Sequence, residues 1–176
     1  MQASAGTRAA IIAGLALVLG VVSWSVYENE TILADGAVVR LELAPIDPRS
    51  LLQGDYMALN YEVNNRLRSS QQREDAYVVL LPDARGVARF VRVQPTPAPR
   101  NAGEVAVRYR VRAGAASFGI RGGAVRFATN AFFFEEGTGK RYEKAKYGEF
   151  RVSPGGEPRL VALLDAELQR LGDNRY

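Results

Sequence analysis

Residues 54–61 read Gly54-Asp55-Tyr56-Met57-Ala58-Leu59-Asn60-Tyr61. Met57, Leu59, Tyr61 and Val63 alternate with Ala58, Asn60 and Glu62. A period of two is the signature of a strand with one buried and one wet face. Met57, Leu59 and Tyr61 are the predicted buried set, and Tyr56 falls on the opposite face with Ala58 and Asn60. Just upstream, residues 47–53 read Asp-Pro-Arg-Ser-Leu-Leu-Gln. Asp47 suits an N-cap, whose carboxylate accepts backbone N–H bonds. Pro48 suits the first helical position, where its missing N–H costs nothing. Gly54 suits the left-handed residue that closes a helical turn. The segment from Pro48 to Gln53 is therefore predicted as one short helical turn feeding a strand from Asp55.

The same alternation recurs on both sides. Ala37, Val39, Leu41 and Leu43 alternate with Val38, Arg40 and Glu42, and Val105, Val107, Tyr109 and Val111 alternate with Ala106 and three arginines. Tyr77 to Leu81 is a continuous apolar run, which predicts a central strand. Weaker strand patterns lie at 87–93, 115–120, 124–129 and 149–153. Pro82-Asp83-Ala84-Arg85-Gly86, Gly122-Gly123 and Pro154-Gly155-Gly156 read as hairpin turns. Asn64 to Asp75 is polar with room for a helical turn. Gln94 to Gly103 holds three prolines and is predicted as an extended, solvated loop. From Leu160 the pattern predicts a strand to about Leu164, then a short helix or a fraying tail. Many short strands joined by polar turns predict a mainly β fold, a small antiparallel barrel or sandwich.

Composition narrows the chemistry. The 176 residues include no Cys and no His. That removes thiol chemistry, His-dependent triads and zinc sites built on either residue. The net charge is +4, but no basic stripe is interleaved with stacking aromatics, so nucleic acid is not an expected partner. No cofactor or metal is expected.

Ala9 to Tyr27 carries no charge and is strongly apolar. As a helix it spans roughly 28 Å, close to a bilayer's hydrocarbon thickness. Trp24 and Tyr27 stand at its end, where amphipathic rings favour the interface. Arg8 precedes the run, and Glu28, Glu30 and Asp35 follow it. The positive-inside rule then predicts a cytoplasmic segment over residues 1–8, a transmembrane anchor over 9–27 and an extracytoplasmic domain over 28–176. The competing reading is a cleaved signal peptide, with Ser23 and Ser25 as its small-x-small site.

The candidate binding residues are Asp47, Arg49, Asp55, Tyr56 and Glu136, with Gly54, Leu59 and Tyr61 as the structural part of the motif. The same residues also fit a purely structural reading: a capping Asp, an Arg paired with it, a turn Asp and a sheet Tyr. Two of Asp47, Asp55, Glu135, Glu136 and Glu143 could form a glycosidase-like carboxylate pair. Glu135-Gly137-Gly139 could equally be a hairpin with a charged tip. Lys140, Lys144 and Lys146 read as exposed, so a Ser–Lys nucleophile is disfavoured. Phe132, Phe133 and Phe134 exceed what one strand face can bury, so one of them is a candidate for exposure.

The octapeptide resembles the GDYXXLXY protein family at every named position: Gly54, Asp55, Tyr56, Leu59 and Tyr61. Asp47-Pro48-Arg49 and Leu52 are similar to the family's pattern, as is the block Phe132 to Lys140 with Glu143 after it. Glu135 stands where the family carries Pro. The resemblance implies a small membrane-anchored bacterial protein of the inner membrane, with no established activity, associated with multispanning membrane proteins. The expectation is thus a non-enzymatic accessory or interaction protein. The alternatives are a carboxylate-dependent hydrolase acting on cell-envelope material, or a β-barrel that binds a small ligand near Tyr56.

Overall fold

The computed structural model describes residues 5–44, 52–53, 56–69, 75–112, 124–127, 129 and 131–174. The chain divides into two units, Met1–Asp35 and Gly36–Tyr176. The first is a single helix, α1 (Ala5–Asp35), of 31 residues. From Ile11 to Tyr27 its apolar side chains stand exposed on every side: Ile11 63%, Leu17 68% and Trp24 71%. No protein surface covers them, and length and composition suit the helix to crossing a membrane. The helix continues past Tyr27 through the acidic residues Glu28, Glu30 and Asp35. Near that end Asn29 and Thr31 bond back to the carbonyls of Ser25 and Tyr27, at 2.9 Å each.

The second unit is mainly β. Its strands are β1 (Ala37–Glu42), β2 (Leu52–Gln53), β3 (Tyr56–Ala58), β4 (Ala76–Pro82), β5 (Ala88–Gln94), β6 (Val105–Arg112), β7 (Ala124–Phe127), β8 (Ala131–Phe133), β9 (Tyr147–Val152), β10 (Pro158–Leu164) and β11 (Arg170–Asp173). One helix, α2 (Glu62–Ser69), and a 3-10 turn, Gly139–Tyr142, complete the described elements. Three antiparallel sheets form, with orders β1-β9-β10-β11, β2-β3-β8 and β5-β4-β6-β7. No sheet closes into a barrel among the described residues, so the predicted choice between barrel and sandwich resolves to a sandwich.

The sheets share one core. Val39 and Leu41 of β1, Phe150 and Val152 of β9, and Leu160 and Leu163 of β10 meet Val78, Leu80, Val107 and Tyr109 of the β4–β6 pair. Single bridges stitch the sheets together, Arg40 to Val87 and Leu43 to Tyr61. The predicted hairpins over Pro82–Gly86 and Pro154–Gly156 join β4 to β5 and β9 to β10. The first is clamped by Asp83, whose carboxylate accepts N–H bonds from Arg85 and Val87 at 2.8 and 3.0 Å. Burial works to raise the Asp83 pKa, yet the two N–H bonds and nearby arginines outweigh it and the net shift is downward.

The continuous apolar run of β4 has a two-sided cause. Val78 and Leu80 face the core, but Val79 on the outer side is also fully buried. Its ladder partners are Arg92 on β5 and Ala106 on β6. Arg92 joins Glu104 across the β4 strand through two bonds of 2.8 and 2.9 Å. Glu104 also accepts the Asn101 N–H at 2.8 Å, and Gln94 and Arg92 both bond the Pro99 carbonyl at 3.3 Å. The proline loop is exposed as predicted, but a polar lattice fixes it.

Three local predictions need correction. Leu52–Gln53 is not helical: it pairs with β3 as a strand, Leu52 opposite Met57 and Gln53 opposite Tyr56. The strand through Val63 stops at Ala58, and α2 begins at Glu62. Val63 and Leu67 are one helical turn apart and both buried, so that pairing outweighs the alternation. The chain beyond Leu164 is neither helix nor fraying tail. Asp165 accepts N–H bonds from Glu167 and Gln169, Leu168 takes φ 63°, and the chain returns as β11. Residues 115–120 and Gly122-Gly123 lie outside the described residues.

Candidate functional site

The two motif blocks, some seventy residues apart in sequence, are neighbours in one sheet. The β3 strand pairs with β8, placing Tyr56 opposite Phe133, Met57 opposite Phe132 and Ala58 opposite Ala131. This register sorts the side chains by face. Met57 and Phe132 point into the core at 2% and 0% exposure. Tyr56, Phe133, Ala58 and Ala131 form the outer face.

The inner half is a folding device. Leu59 is buried and Tyr61 fully so, as predicted. The Tyr61 ring meets Phe150 edge-on at 5.4 Å, and its hydroxyl donates to the Thr129 carbonyl at 3.3 Å. Gly148 gives that ring its space: a Cβ there would lie 3.2 Å from Tyr61. After β8, Phe134 stacks on Tyr142 at 5.2 Å, and Phe132 packs on the same ring at 4.9 Å. The 3-10 turn therefore exists to bring Tyr142 under the second motif.

The outer half differs. Phe133 is 50% exposed and Tyr56 half-buried. Their ring centroids are 6.0 Å apart. Ala58 is exposed beside them, and no charged residue stands among the four. The Phe triplet thus splits into two buried rings and one exposed ring. The N–H of Phe133 reaches the Asn174 side chain at 3.4 Å, and Asn174 also donates its own N–H to Val161 at 2.7 Å. Asn174 so ties β8 to β10, a role that nothing in the sequence pattern around it suggests.

Of the other candidates, Asp47, Arg49, Gly54 and Asp55 lie outside the described residues. Glu136 is exposed on a turn in which Gly137 has φ +79° and the Thr138 N–H bonds the Glu135 carbonyl. That turn leads into the 3-10 turn and not back along β8, so the predicted hairpin is absent there: β8 pairs with β3 and β9 pairs with β1 and β10. A cleft of about 250 Å³ opens beside it, with Glu135, Arg141 and Asp173 on its walls and Glu136 off them. Lys140, Lys144 and Lys146 are exposed, as predicted. Among the described residues no three acidic side chains gather as a metal site.

Among the described residues, the one large carboxylate shift lies elsewhere. The Arg92 guanidinium, bonded to Glu104, holds that carboxyl at about 2, with Asn101 adding two further bonds. Sequence reasoning passed over this pair because its partners are 12 residues apart and meet across the intervening β4 strand.

The fold is thus a mainly β unit with one long apolar helix before it, whose two aromatic blocks share a small sheet. The family model described as "GDYXXLXY protein" matches residues 18–163, and the chain belongs to that family. No curated protein and no solved structure matches it.

Proposed function

We propose that the protein is a single-pass membrane protein, with its N-terminus in the cytoplasm, that presents the β unit outside the cytoplasm as an accessory to a multispanning membrane protein. The observation that carries the docking role is the uncharged outer face of β3 and β8. Exposed sheet faces ordinarily carry polar residues, and an apolar one next to a buried motif favours contact with another protein. The apolar helix supports anchoring, and the acidic residues that follow it support the orientation. Tyr56 and Phe133 are the residues assigned to the contact.

A photo-crosslinking amino acid at position 133 tests this in whole cells. It should yield one discrete adduct with a membrane protein, absent when the probe replaces exposed Glu167. Phe133→Glu should abolish co-purification of the adduct's partner from mild detergent while leaving the protein in the membrane. Crosslinks to water alone at both positions would end the docking reading. Alkaline phosphatase fused after Tyr176 should be active; activity only from a cytoplasm-dependent reporter would reverse the orientation.

A further inference from the structure

The β1 and β5 strands belong to different sheets and meet through one parallel bridge, Arg40 to Val87. The Arg40 N–H donates to the Gly86 carbonyl there at 2.9 Å. No further pair follows among the described residues. Where the pairing stops, a cleft of about 360 Å³ opens between β1, β5 and α2. Backbone direction alternates along a strand, so the Glu42 N–H and carbonyl point the same way as those of Arg40. They face the cleft side of β1, with no ladder partner there among the described residues. The floor is apolar: Leu41 and Val63 are buried, Ala88 is half-buried and Phe90 is exposed beside them. The rim carries both signs of charge. Glu42 comes from β1, Glu62 and Arg66 from α2, and Arg89 from β5, all four exposed. Glu62 accepts an N–H from the Asn65 side chain at 2.9 Å. Glu42 and Arg89 form no ion pair among the described residues, and Arg89 acts on Asp83 only as a nearby charge.

We propose that this cleft binds a short zwitterionic peptide with an apolar side chain. The inference is independent of the docking role assigned to Phe133. Two glutamates and two arginines leave the rim neutral, which favours a ligand with both charges over a simple anion or cation. The ligand's ammonium faces Glu42 and Glu62, and its carboxylate takes the Arg89 guanidinium. Its side chain covers Phe90 and the floor, and burial of that apolar surface drives binding. Its peptide bond pairs with the Glu42 main chain, as an extended segment adds to an open strand edge. Small-ligand pockets run from about 300 to 1,000 Å³. The cleft lies at the lower end of that range, which suits a dipeptide or tripeptide and not a folded partner.

The test titrates the full chain in detergent with leucyl-leucine by calorimetry, corrected against empty micelles. Saturable binding is expected, with a Kd below about 1 mM. Acetylating the dipeptide's amine, or amidating its carboxylate, should each weaken binding at least about ten-fold, because one charge-assisted contact is lost. Glu42→Gln should weaken the free dipeptide but not the acetylated form, and Arg89→Gln the free dipeptide but not the amide, since each pair then has nothing left to lose. Exposed Arg110→Gln should change neither. Absence of saturable binding overturns the proposal. Equal binding of the free dipeptide and both blocked forms also overturns it, leaving a plain apolar groove. An Arg110→Gln effect as large as that of Arg89→Gln does the same, because the charge effect would then belong to the whole surface.

Discussion

The β2-β3-β8 sheet and the β5-β4-β6-β7 sheet contribute alike to the core and differ on their outer sides. On the larger sheet the outward Val79 is fully buried beside the Arg92–Glu104 pair, while Leu81, Phe90 and Val91 near the strand ends stay partly exposed. Polar groups beside Val79 satisfy one another, and β4 is buried on both sides from Val78 to Leu80. Among the described residues, the small sheet leaves Ala58 and Phe133 exposed on its outer side, with Tyr56 half-buried beside them. Stability explains the first arrangement. It does not explain the second, because exposed aromatic surface costs free energy in water unless something else covers it. The difference separates an apolar site covered by the chain's own polar groups from an aromatic ring, Phe133, that stays half exposed.

Two neighbouring rings give the largest effect. Phe132→Ala should destabilise the unit by about 3–5 kcal/mol, since its side chain is fully buried among Met57, Tyr142 and their neighbours. Phe133→Ala should cost no more than about 1 kcal/mol, mostly its pairing with Tyr56. Denaturant titration of the detergent-solubilised chain reads both. Similar costs for the two would mean that the outer face is structural after all, and the comparison would fall.

The larger sheet's cover is open to a similar test at Gly156. That residue has φ +89°, and a Cβ there would lie 2.8 Å from the Tyr77 ring and 3.0 Å from the Ala106 carbonyl oxygen. Gly156→Val combines a disfavoured conformation with a backbone clash and should cost at least about 2 kcal/mol. A variant as stable as the parent would show that the 154–157 turn is not pressed onto β6.

The sequence carried these differences unevenly. Alternation located β1 and β6, because one buried face writes a period of two into consecutive residues, and the apolar run located β4. Alternation also sorted Met57, Leu59 and Tyr61 inward and Tyr56 outward. Short-range signals misled where a distant partner decided the outcome. Pro48 and Gly54 suggested a helical turn, yet Leu52 and Gln53 are held extended by β3. Leu164 and Leu168 suggested a helix, yet the Asp165 carboxylate folds the chain back. The pairing of Tyr56 with Phe133 was not legible, because register between strands so far apart leaves no local trace. The Arg92–Glu104 bond was hidden for the same reason, although Asn101 three residues before Glu104 is a turn-capping spacing.

That bond makes the larger sheet's cover pH-sensitive. Glu104 titrates at about 2 in the folded protein, below its ordinary 4.5, because Arg92 and Asn101 favour the carboxylate. A depressed carboxyl pKa contributes stability that is complete above the unfolded value and is lost as pH falls through the folded one. The denaturation midpoint of Glu104→Gln should therefore lie below the parent's at neutral pH. The gap should hold steady above about pH 5 and shrink between 4.5 and about 2. A gap independent of pH across that window would mean that the carboxylate charge is not what covers Val79.

The smallest effect is expected at Tyr109, on the inner side of the larger sheet. Its ring is fully buried opposite Ala76 and Phe127. Among the described residues its buried hydroxyl has no hydrogen-bond partner. Burial, with the nearby Asp75 carboxylate, pushes the Tyr109 pKa up. Removing a buried polar atom that bonds to nothing relieves a desolvation cost and sacrifices no bond. Tyr109→Phe should thus be neutral or stabilising by up to about 1 kcal/mol, with the aromatic packing retained. Tyr61→Phe makes the contrast, because the Tyr61 hydroxyl reaches the Thr129 carbonyl and its loss leaves that acceptor short of a donor. The second substitution should cost about 1 kcal/mol. If Tyr109→Phe proved the more damaging of the two, the Tyr109 hydroxyl would have a partner in solution, and the inner side of the larger sheet would itself hold a polar contact of consequence.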